Sequence, residues 1–300
     1  MSTTDCAASP FIIHDYIIAG SGIAGNTCAY LLQKMGYSGI ILEQESSRKE
    51  KICGGGIPWK ALSLLKSIGM DLSSLYDSDV SIVNGDCTFW GDKETLTFYD
   101  SNEFSMGSRR CIFDNFLLNQ AQKIGADIAW GQSVKRINKM GSCFLINGYK
   151  SKRVILAVGA RGLDGCYTQG QSVGISSQIY GVSSLNSNLF YFFYYDQNRN
   201  HYFWIFPIGE KLWNVGLWYR YPESSMKRSF NSCWDKYVKK FFKSYTIISP
   251  PKGDFCGHID LNKIASVYAI GDCAGCNNSQ NGGGIYRAIK SAIHYSQNMD

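Results

Sequence analysis

Apolar residues fall along this chain in short runs that stop at glycines. Residues 11–19 are apolar except for His14 and Asp15 and end at Gly20, the pattern of a strand buried on both faces. The period then changes, because Ala24, Cys28, Leu31, Leu32 and Met35 recur at helical spacing and Gly36 stands at the C-cap position. Residues 39–42 read as a second strand, 48–56 as a basic, glycine-rich loop, and 57–68 as a helix carrying Leu62, Leu65 and Ile68. Alternation over 80–104, with turn pairs at Asn84-Gly85 and Gly91-Asp92, predicts antiparallel strands. Residues 110–123 have helical spacing, 152–158 form an apolar strand ending at Gly159, and 189–219 are strand-rich. Within that stretch 190–195 and 201–206 predict a hairpin around 196–200 that is apolar on both faces, so it must be covered on both sides or wall a pocket. A helix over 229–242, a last buried strand at 267–270 and a closing helix at 283–295 complete the reading. There is no internal repeat or linker. The pattern therefore predicts an α/β fold with a doubly wound domain over 11–79, 106–165 and 256–298. An interleaved antiparallel-sheet domain is expected over 80–105 and 166–255.

Composition narrows this only slightly. At 300 residues, 45% hydrophobic and 18% charged, the chain can bury a large core and is not disordered. The first ten residues lack a secretory pattern and no run is long enough to span a membrane, which predicts a cytoplasmic protein. Eleven cysteines, an odd number scattered through the chain, read as reduced thiols. The net charge of +6 has no dense basic stripe, so nucleic acid is not an expected partner. Residues 227–243 place Phe230, Trp234, Val238 and Phe241 on one helical face with lysines opposite. They read as a helix packed on the core, with peripheral membrane contact or an acidic protein partner as the other option. His14, His201, His258 and His294 show no metal-like spacing, and no metal is expected.

The first chemistry lies in Gly20-Ser21-Gly22-Ile23-Ala24-Gly25, a G-x-G-x-x-G placed between a predicted strand and a predicted helix. Glu43 ends the next strand, near the spacing of about 20 residues at which an acidic side chain meets a ribose. Gly20 makes the tight turn, Gly22 admits a pyrophosphate to the backbone, Gly25 allows close helix packing, and the helix N-terminus at Ile23 and Ala24 favours phosphate. A carboxylate at Glu43 would repel a 2′-phosphate, which favours FAD or NAD(H) over NADP(H) in this Rossmann-like unit.

A second cluster, Ala269-Ile270-Gly271-Asp272-Cys273-Ala274-Gly275, follows another strand and precedes Gly282-Gly283-Gly284-Ile285 and a helix. It resembles the Gly-Asp segment of flavoproteins with the p-hydroxybenzoate hydroxylase fold. That resemblance implies FAD, with Asp272 at the ribityl chain and Gly271, Gly283, Gly284 and Ile285 beside it and the isoalloxazine. Arg110-Cys111-Ile112-Phe113-Asp114 resembles the Arg-x-x-Phe-Asp element of the same enzymes, implying Arg110 near the FAD phosphates or ribityl chain. Val134 is counted with the cofactor-binding positions.

Two further motifs are similar to those of geranylgeranyl reductases: Cys53-Gly54-Gly55-Gly56, and Tyr202-Phe203-Trp204-Ile205-Phe206-Pro207, which matches Tyr-x-Trp-x-Phe-Pro. By this resemblance Gly54 and Gly55 border the flavin, and Tyr202 and Trp204 line the substrate cavity. Cys53 is then a candidate proton donor, a role helped by a glycine-rich loop beside a helix N-terminus, where a thiol pKa can fall. The implied reaction is hydride transfer through flavin N5 to or from an unsaturated, small or lipid-like substrate, with NAD(P)H or a redox protein as electron donor. Several positions depart from the pattern. Val158-Gly159 lacks the acidic residue of the Asp-Gly element, Ser279 stands where a proline is usual, and Gly216-Leu217-Trp218 replaces Gly-x-Gly, which fills space near the substrate. The chain also ends soon after its last helix, where typical prenyl reductases continue, so a reduced cavity wall is expected. The alternatives are a flavin monooxygenase, a protein-modifying flavoprotein of the quinone-cofactor maturation type, and a non-catalytic FAD-binding electron-transfer partner. A halogenase lacks its Trp-x-Trp-x-Ile-Pro motif here. Gly170-Gln171-Ser172-Val173-Gly174 matches a nucleophile elbow without the strand–turn–helix context that motif needs. Cys273 and Cys276 form a C-x-x-C with no second pair at zinc spacing.

Overall fold

The computed structural model describes residues 12–161, 167–194, 201–220, 225–259, 267–277 and 282–299; the hairpin turn 196–200 and Ser279 lie outside them. The chain opens with β1 (Ile13–Ala19), α1 (Ile23–Lys34), β2 (Gly39–Glu43), β3 (Gly56–Ile57), α2 (Trp59–Ser67) and α3 (Ser73–Tyr76). It continues through β4 (Val80–Val83), β5 (Gly85–Trp90), β6 (Lys93–Phe98), β7 (Ser105–Ser108), α4 (Arg110–Lys123), β8 (Asp127–Trp130), β9 (Asn138–Met140), β10 (Cys143–Ile146) and β11 (Tyr149–Leu156). The long strands follow: β12 (Tyr167–Ser183), β13 (Leu189–Tyr194), β14 (His201–Gly209) and β15 (Leu212–Tyr219). Next, α5 (Met226–Cys233) passes through a π-helical turn at Trp234–Val238 into α6 (Lys239–Phe241). The chain closes with β16 (Phe242–Ile259), β17 (Tyr268–Ala269) and α7 (Ile285–Gln297).

The first sheet has the order β8-β2-β1-β11, with β17 also on β11 and these five strands parallel; the antiparallel strands β10 and β9 extend it. The apolar run of β1 is buried on both sides as its pattern requires. Tyr16 and Ile18 pack with Cys28, Phe113 and Ile289 of α1, α4 and α7, and Ile17 and Ala19 pack with Leu42, Val154, Phe144 and Ile146 on the other side. Each such aliphatic side chain, fully buried, stabilises the fold by about 1.5–3 kcal/mol.

The second sheet runs β16-β12-β15-β14-β13-β5-β6. The β13–β14 hairpin is apolar on both faces, and each face has its own solution. Phe193, Phe203 and Leu217 are covered by Phe230, Tyr237 and Val238 of the α5–α6 segment. The opposite face, with Phe190, Tyr202, Trp204, Phe206 and Trp218, turns toward the glycine loop before α2. The lysine-bearing helix thus uses its apolar stripe as core. A small sheet, β3-β7-β4, joins the two large ones, and Gly107 of β7 lies so close to β14 that a Cβ there would sit 1.6 Å from the Pro207 carbonyl.

Several expectations are corrected. Residues 80–104 do not form one antiparallel set: β4 pairs with β7 in the small sheet, and β5, although hairpinned with β6, runs parallel to β13. The helix expected at 229–242 begins at Met226 and ends at Phe241, because Phe242 starts β16. That strand carries Pro250 and Pro251 and was not legible as a strand; as an edge strand beside β12, with register shifts along it, it tolerates residues that cannot donate to a ladder. Ser172 to Gly174 continue β12, so no elbow forms at the G-x-S-x-G match.

Candidate functional site

Between the first sheet and the aromatic face of the second lies a cavity of about 630 Å³. Four helices, α1, α2, α4 and α7, present their N-terminal residues to it: Gly22 and Ile23, Pro58 and Lys60, Arg110, and Gly284 and Ile285. None has an acidic residue in its first turn or a side-chain bond from its N-cap residue. Two are satisfied from elsewhere, since the Trp59 N–H donates to Ser105 Oγ (3.0 Å) and the Arg110 N–H to the Glu50 carboxylate (2.8 Å). Aligned peptide dipoles leave positive partial charge at such ends, and Lys51, Lys60 and Arg287 add to it.

The glycine turn is built as its spacing predicts. Gly20 has φ +107° and its N–H bonds the Leu42 carbonyl at 2.8 Å, while a Cβ on Gly25 would lie 2.0 Å from the Gly20 carbonyl oxygen. These two shape the turn and do not line the cavity; Gly22, Ile23 and Ala24 do. Gly22 differs in kind, because a Cβ there would meet no protein atom within 4 Å. Protein packing does not demand that glycine, whereas a phosphate against the backbone would. The Glu43 carboxylate also lies outside the cavity lining and accepts from the Ser21 N–H (2.7 Å) and the Glu45 N–H (3.0 Å), so it fixes the turn. Asn26, fully buried, ties the same turn to α4 by donating to the carbonyls of Ser21 and Asp114. Val134 is not brought to the cavity; it packs beneath the sheet near Ala129 and Ile137.

The turn at Gly271 meets the first glycine turn. Gly271, at φ +69°, comes so near α1 that a Cβ would lie 2.8 Å from the Ala24 methyl. Beside it Asp272 pairs with Lys51 at 3.7 Å, and a Cβ on Gly284 would lie 3.0 Å from Asp272 Oδ1. Gly271, Asp272, Gly283, Gly284 and Ile285 all line the cavity. Cys273 is buried and donates to the Leu156 carbonyl at 3.1 Å; burial pushes its thiol up to about 12, and neither it nor Cys276 is in a disulfide.

Arg110 is not a surface arginine. It is 6% exposed, and its guanidinium is held by two hydrogen bonds to Asp114, at 2.9 and 2.8 Å. Burial opposes its charge, but Asp114 outweighs that and keeps the group protonated, with the Cys53 thiol also within hydrogen-bonding reach. Cys53, Gly54 and Gly55 line the cavity, and the loop leans on the aromatic face: a Cβ on Gly54 would lie 3.3 Å from Trp204 Nε1 and from the Phe206 ring.

Alternation on β14 puts Tyr202, Trp204 and Phe206 on one face, all lining the cavity. The Trp204 indole lies flat across β15, because Gly216 opposite it has no Cβ; one there would be 2.0 Å from Trp204 Cζ2. Its N–H donates to Asn214 Oδ1 (2.8 Å), and Asn214 Nδ2 donates to the Cys53 carbonyl (2.9 Å). Sequence reading missed Asn214, Asn26, Lys51, Lys60 and Arg287. Only Asn214 left a signal, as the one polar residue among the inward and outward apolar positions of β15. Among the described residues no group of His, Cys, Asp and Glu could hold a metal, and no helix is long and apolar enough to cross a membrane.

No family model matches the chain. It is similar to digeranylgeranylglycerophospholipid reductase 3 of Methanosphaera stadtmanae, 23% identical over 307 residues that span 93% of this chain and 75% of that protein. In fold it is similar to a geranylgeranyl bacteriochlorophyll reductase-like protein of Thermoplasma acidophilum, with TM-score 0.75 and 19% identity over 96% of this chain and 78% of the other. A flavin-dependent brominase shares the fold as well, with TM-score 0.77 and 20% identity over 95% of this chain and 79% of the other. The chain thus has the fold that these two proteins share. In sequence it is similar to proteins named digeranylgeranylglycerophospholipid reductase.

Proposed function

We propose that this chain uses FAD to reduce a carbon–carbon double bond in a lipid-like, unsaturated substrate. The observation that carries the reading is the meeting, in one cavity, of the two ligand-binding turns, the Cys53 loop and the Tyr202–Trp204–Phe206 face. Gly22 and the α1 N-terminus would hold the pyrophosphate on the turn that Glu43 fixes, Asp272 would hold the ribityl chain, and Gly54, Gly55, Gly283 and Gly284 the edges of the ring system. When bound, FAD supplies hydride chemistry at N5. The chain's own residues do the rest. Trp204 and Phe206 exclude water and orient the apolar substrate, Arg110 holds positive charge beside the glycine loop, and Cys53 delivers the proton that completes the reduction. The similar digeranylgeranylglycerophospholipid reductase favours this over the monooxygenase and binding-module readings.

Electrons would come from NAD(P)H or a small redox protein, in the cytoplasm; that setting is supported by eight cysteines found free among the described residues. The test is anaerobic. Purified protein is loaded with FAD, reduced with dithionite and mixed with a polyprenyl lipid. Reoxidation of the flavin together with a product two mass units heavier supports the reading. Flavin that stays reduced with the lipid, or that yields an oxygenated product once air is admitted, would sink it.

A further inference from the structure

The second sheet ends, on the β16 side, in an edge that exposes apolar side chains. Tyr180 and Val182 of β12 are 48% and 67% exposed, and Ile247 and Ile248 of β16 are 50% and 56% exposed. The pairing of Ile179 with Ile247, Tyr180 with Thr246 and Gly181 with Tyr245 gathers all four at one end of the β12–β16 ribbon. Single exposed apolar residues need no explanation, but a group of four does. A strand from another chain is a poor match for this edge. Pro250 and Pro251 on β16 have no N–H to offer, and register shifts between Ser176 and Ile179 and between Gly181 and Ser183 bend the ribbon. The fitting partner is one that takes apolar side chains without asking for a ladder of hydrogen bonds.

The charge beside this edge is almost all of one sign. Residues 226–252 carry seven lysines and arginines, all exposed, against one acid, Asp235, which pairs with Lys239 at 2.7 Å. The basic α5–α6 segment is fastened to the ribbon next to the apolar group. The Trp234 indole donates to the Tyr245 hydroxyl at 2.8 Å, and the Ser184 N–H donates to the Phe241 carbonyl at 2.9 Å. Lys239, Lys240 and Lys243 therefore flank the exposed edge. On its other side the Gly181 N–H donates to the Lys211 carbonyl at 2.9 Å, in a turn where Glu210 and Lys211 cancel in charge.

We propose that this edge docks on an anionic lipid bilayer, with Val182, Ile247 and Ile248 in the headgroup layer and Lys239, Lys240 and Lys243 on the lipid charges. Apolar insertion and attraction to anionic lipid act together in such contacts, and neither alone holds a protein firmly. The same two strands also reach the cavity, which Gly174 and Ser176 of β12 and Asp254 and Phe255 of β16 line. From Ser176 to Val182 is about 20 Å at the rise of a strand. A docked molecule thus stands with one cavity wall continuous with the lipid surface. The proposal rests on the lipid-like substrate of the reductase reading and adds the surface at which such a substrate is met.

The probes are vesicles of phosphatidylcholine alone and of phosphatidylcholine with phosphatidylglycerol in equal parts, mixed with FAD-loaded protein and read by flotation. The protein should float with the anionic vesicles only. Lys240→Ala with Lys243→Ala should weaken that binding about thirtyfold, roughly fivefold for each charge removed. Val182→Ser with Ile248→Ser should weaken it about tenfold and leave FAD affinity unchanged. Equal binding to both vesicles, binding to neither, or undiminished binding by either variant overturns the proposal. So does a dimer in sedimentation velocity that dissolves in the serine variant while vesicles are ignored, since the edge would then join two copies of the chain. Should the serine variant fail to fold, hydrogen exchange of the wild type decides: anionic vesicles should protect residues 180–184 and 239–249, and protection only elsewhere overturns the proposal. Turnover of a polyprenyl lipid is scored separately. Protein that reduces the lipid but ignores vesicles overturns this proposal alone, whereas protein that floats as expected but reduces nothing supports the docking edge and overturns the reductase reading.

Discussion

At the scale of single residues, two glycines of one motif have opposite reasons to be glycine. A methyl group on Gly25 would collide with the Gly20 carbonyl oxygen at 2.0 Å, whereas one on Gly22 would meet nothing within 4 Å. Gly25→Ala should therefore destabilise the fold by about 2–3 kcal/mol through backbone displacement, seen in urea unfolding of the protein without FAD. Gly22→Ala should leave that unfolding curve in place and raise the Kd for FAD about tenfold or more, and equal loss of stability by both would refute the distinction. A second residue gives a pH signature. Burial raises the Asp86 carboxyl above its ordinary 3.8, opposed by the Tyr99 hydroxyl that donates to it at 2.8 Å. A raised folded value means that its contribution to stability is complete below pH 3.8 and is lost as pH rises through the higher folded value. Asp86→Asn should then raise the melting temperature on the order of 2 °C at pH 7 and lose that advantage below the ordinary carboxylate range. A gain that persists at pH 3 would contradict the assignment.

At the scale of elements, the site depends on a join between a loop and a sheet that are remote in sequence. Asn214 on β15 holds the indole of Trp204 on one side and the Cys53 carbonyl, 161 residues away, on the other. Asn214→Ala leaves both partners buried without a bond, which should cost about 2–3 kcal/mol. It should also free the Cys53 loop, so that proteolysis of the native protein near residues 51–56 quickens; a lower melting point with unchanged proteolysis would reduce Asn214 to an ordinary core residue. The contrast between what was and was not legible follows the same line. The β1–turn–α1 unit is written in local signals, period and glycine spacing, and forms where the sequence places it. The edge strand β16 is not, because its pairing with β12 lies far away in the chain and an edge position excuses its prolines. The aromatic motif predicted a cavity wall, and Asn214 stood out as the one polar residue of β15, but its pairing with Trp204 and the close approach of Gly216 depend on a strand register that local pattern does not encode.

At the scale of the whole molecule, two sheets are held at a fixed separation by the three-stranded bridge β3-β7-β4, and the cavity occupies the angle between them. FAD should then act as a strut between the halves. If it binds only the folded protein, saturation at about 100 times the Kd stabilises by about 2.7 kcal/mol, read as a rise in melting temperature that grows with FAD concentration. A concentration-independent melting point would mean that FAD does not bridge the fold.

The convergence of four helix N-termini on that cavity also bears on how fast the site fills. Fixed dipoles and three cationic side chains around one opening act as an electrostatic funnel, drawing a doubly charged dinucleotide inward before any contact forms. Such attraction belongs to the encounter and is screened by ions, while the buried contacts made afterwards are not. In stopped-flow mixing, the association rate of FAD should fall steeply as salt rises and the dissociation rate should hardly change, so this protein would gather its cofactor quickest where ions are scarce and release it at nearly the same pace everywhere.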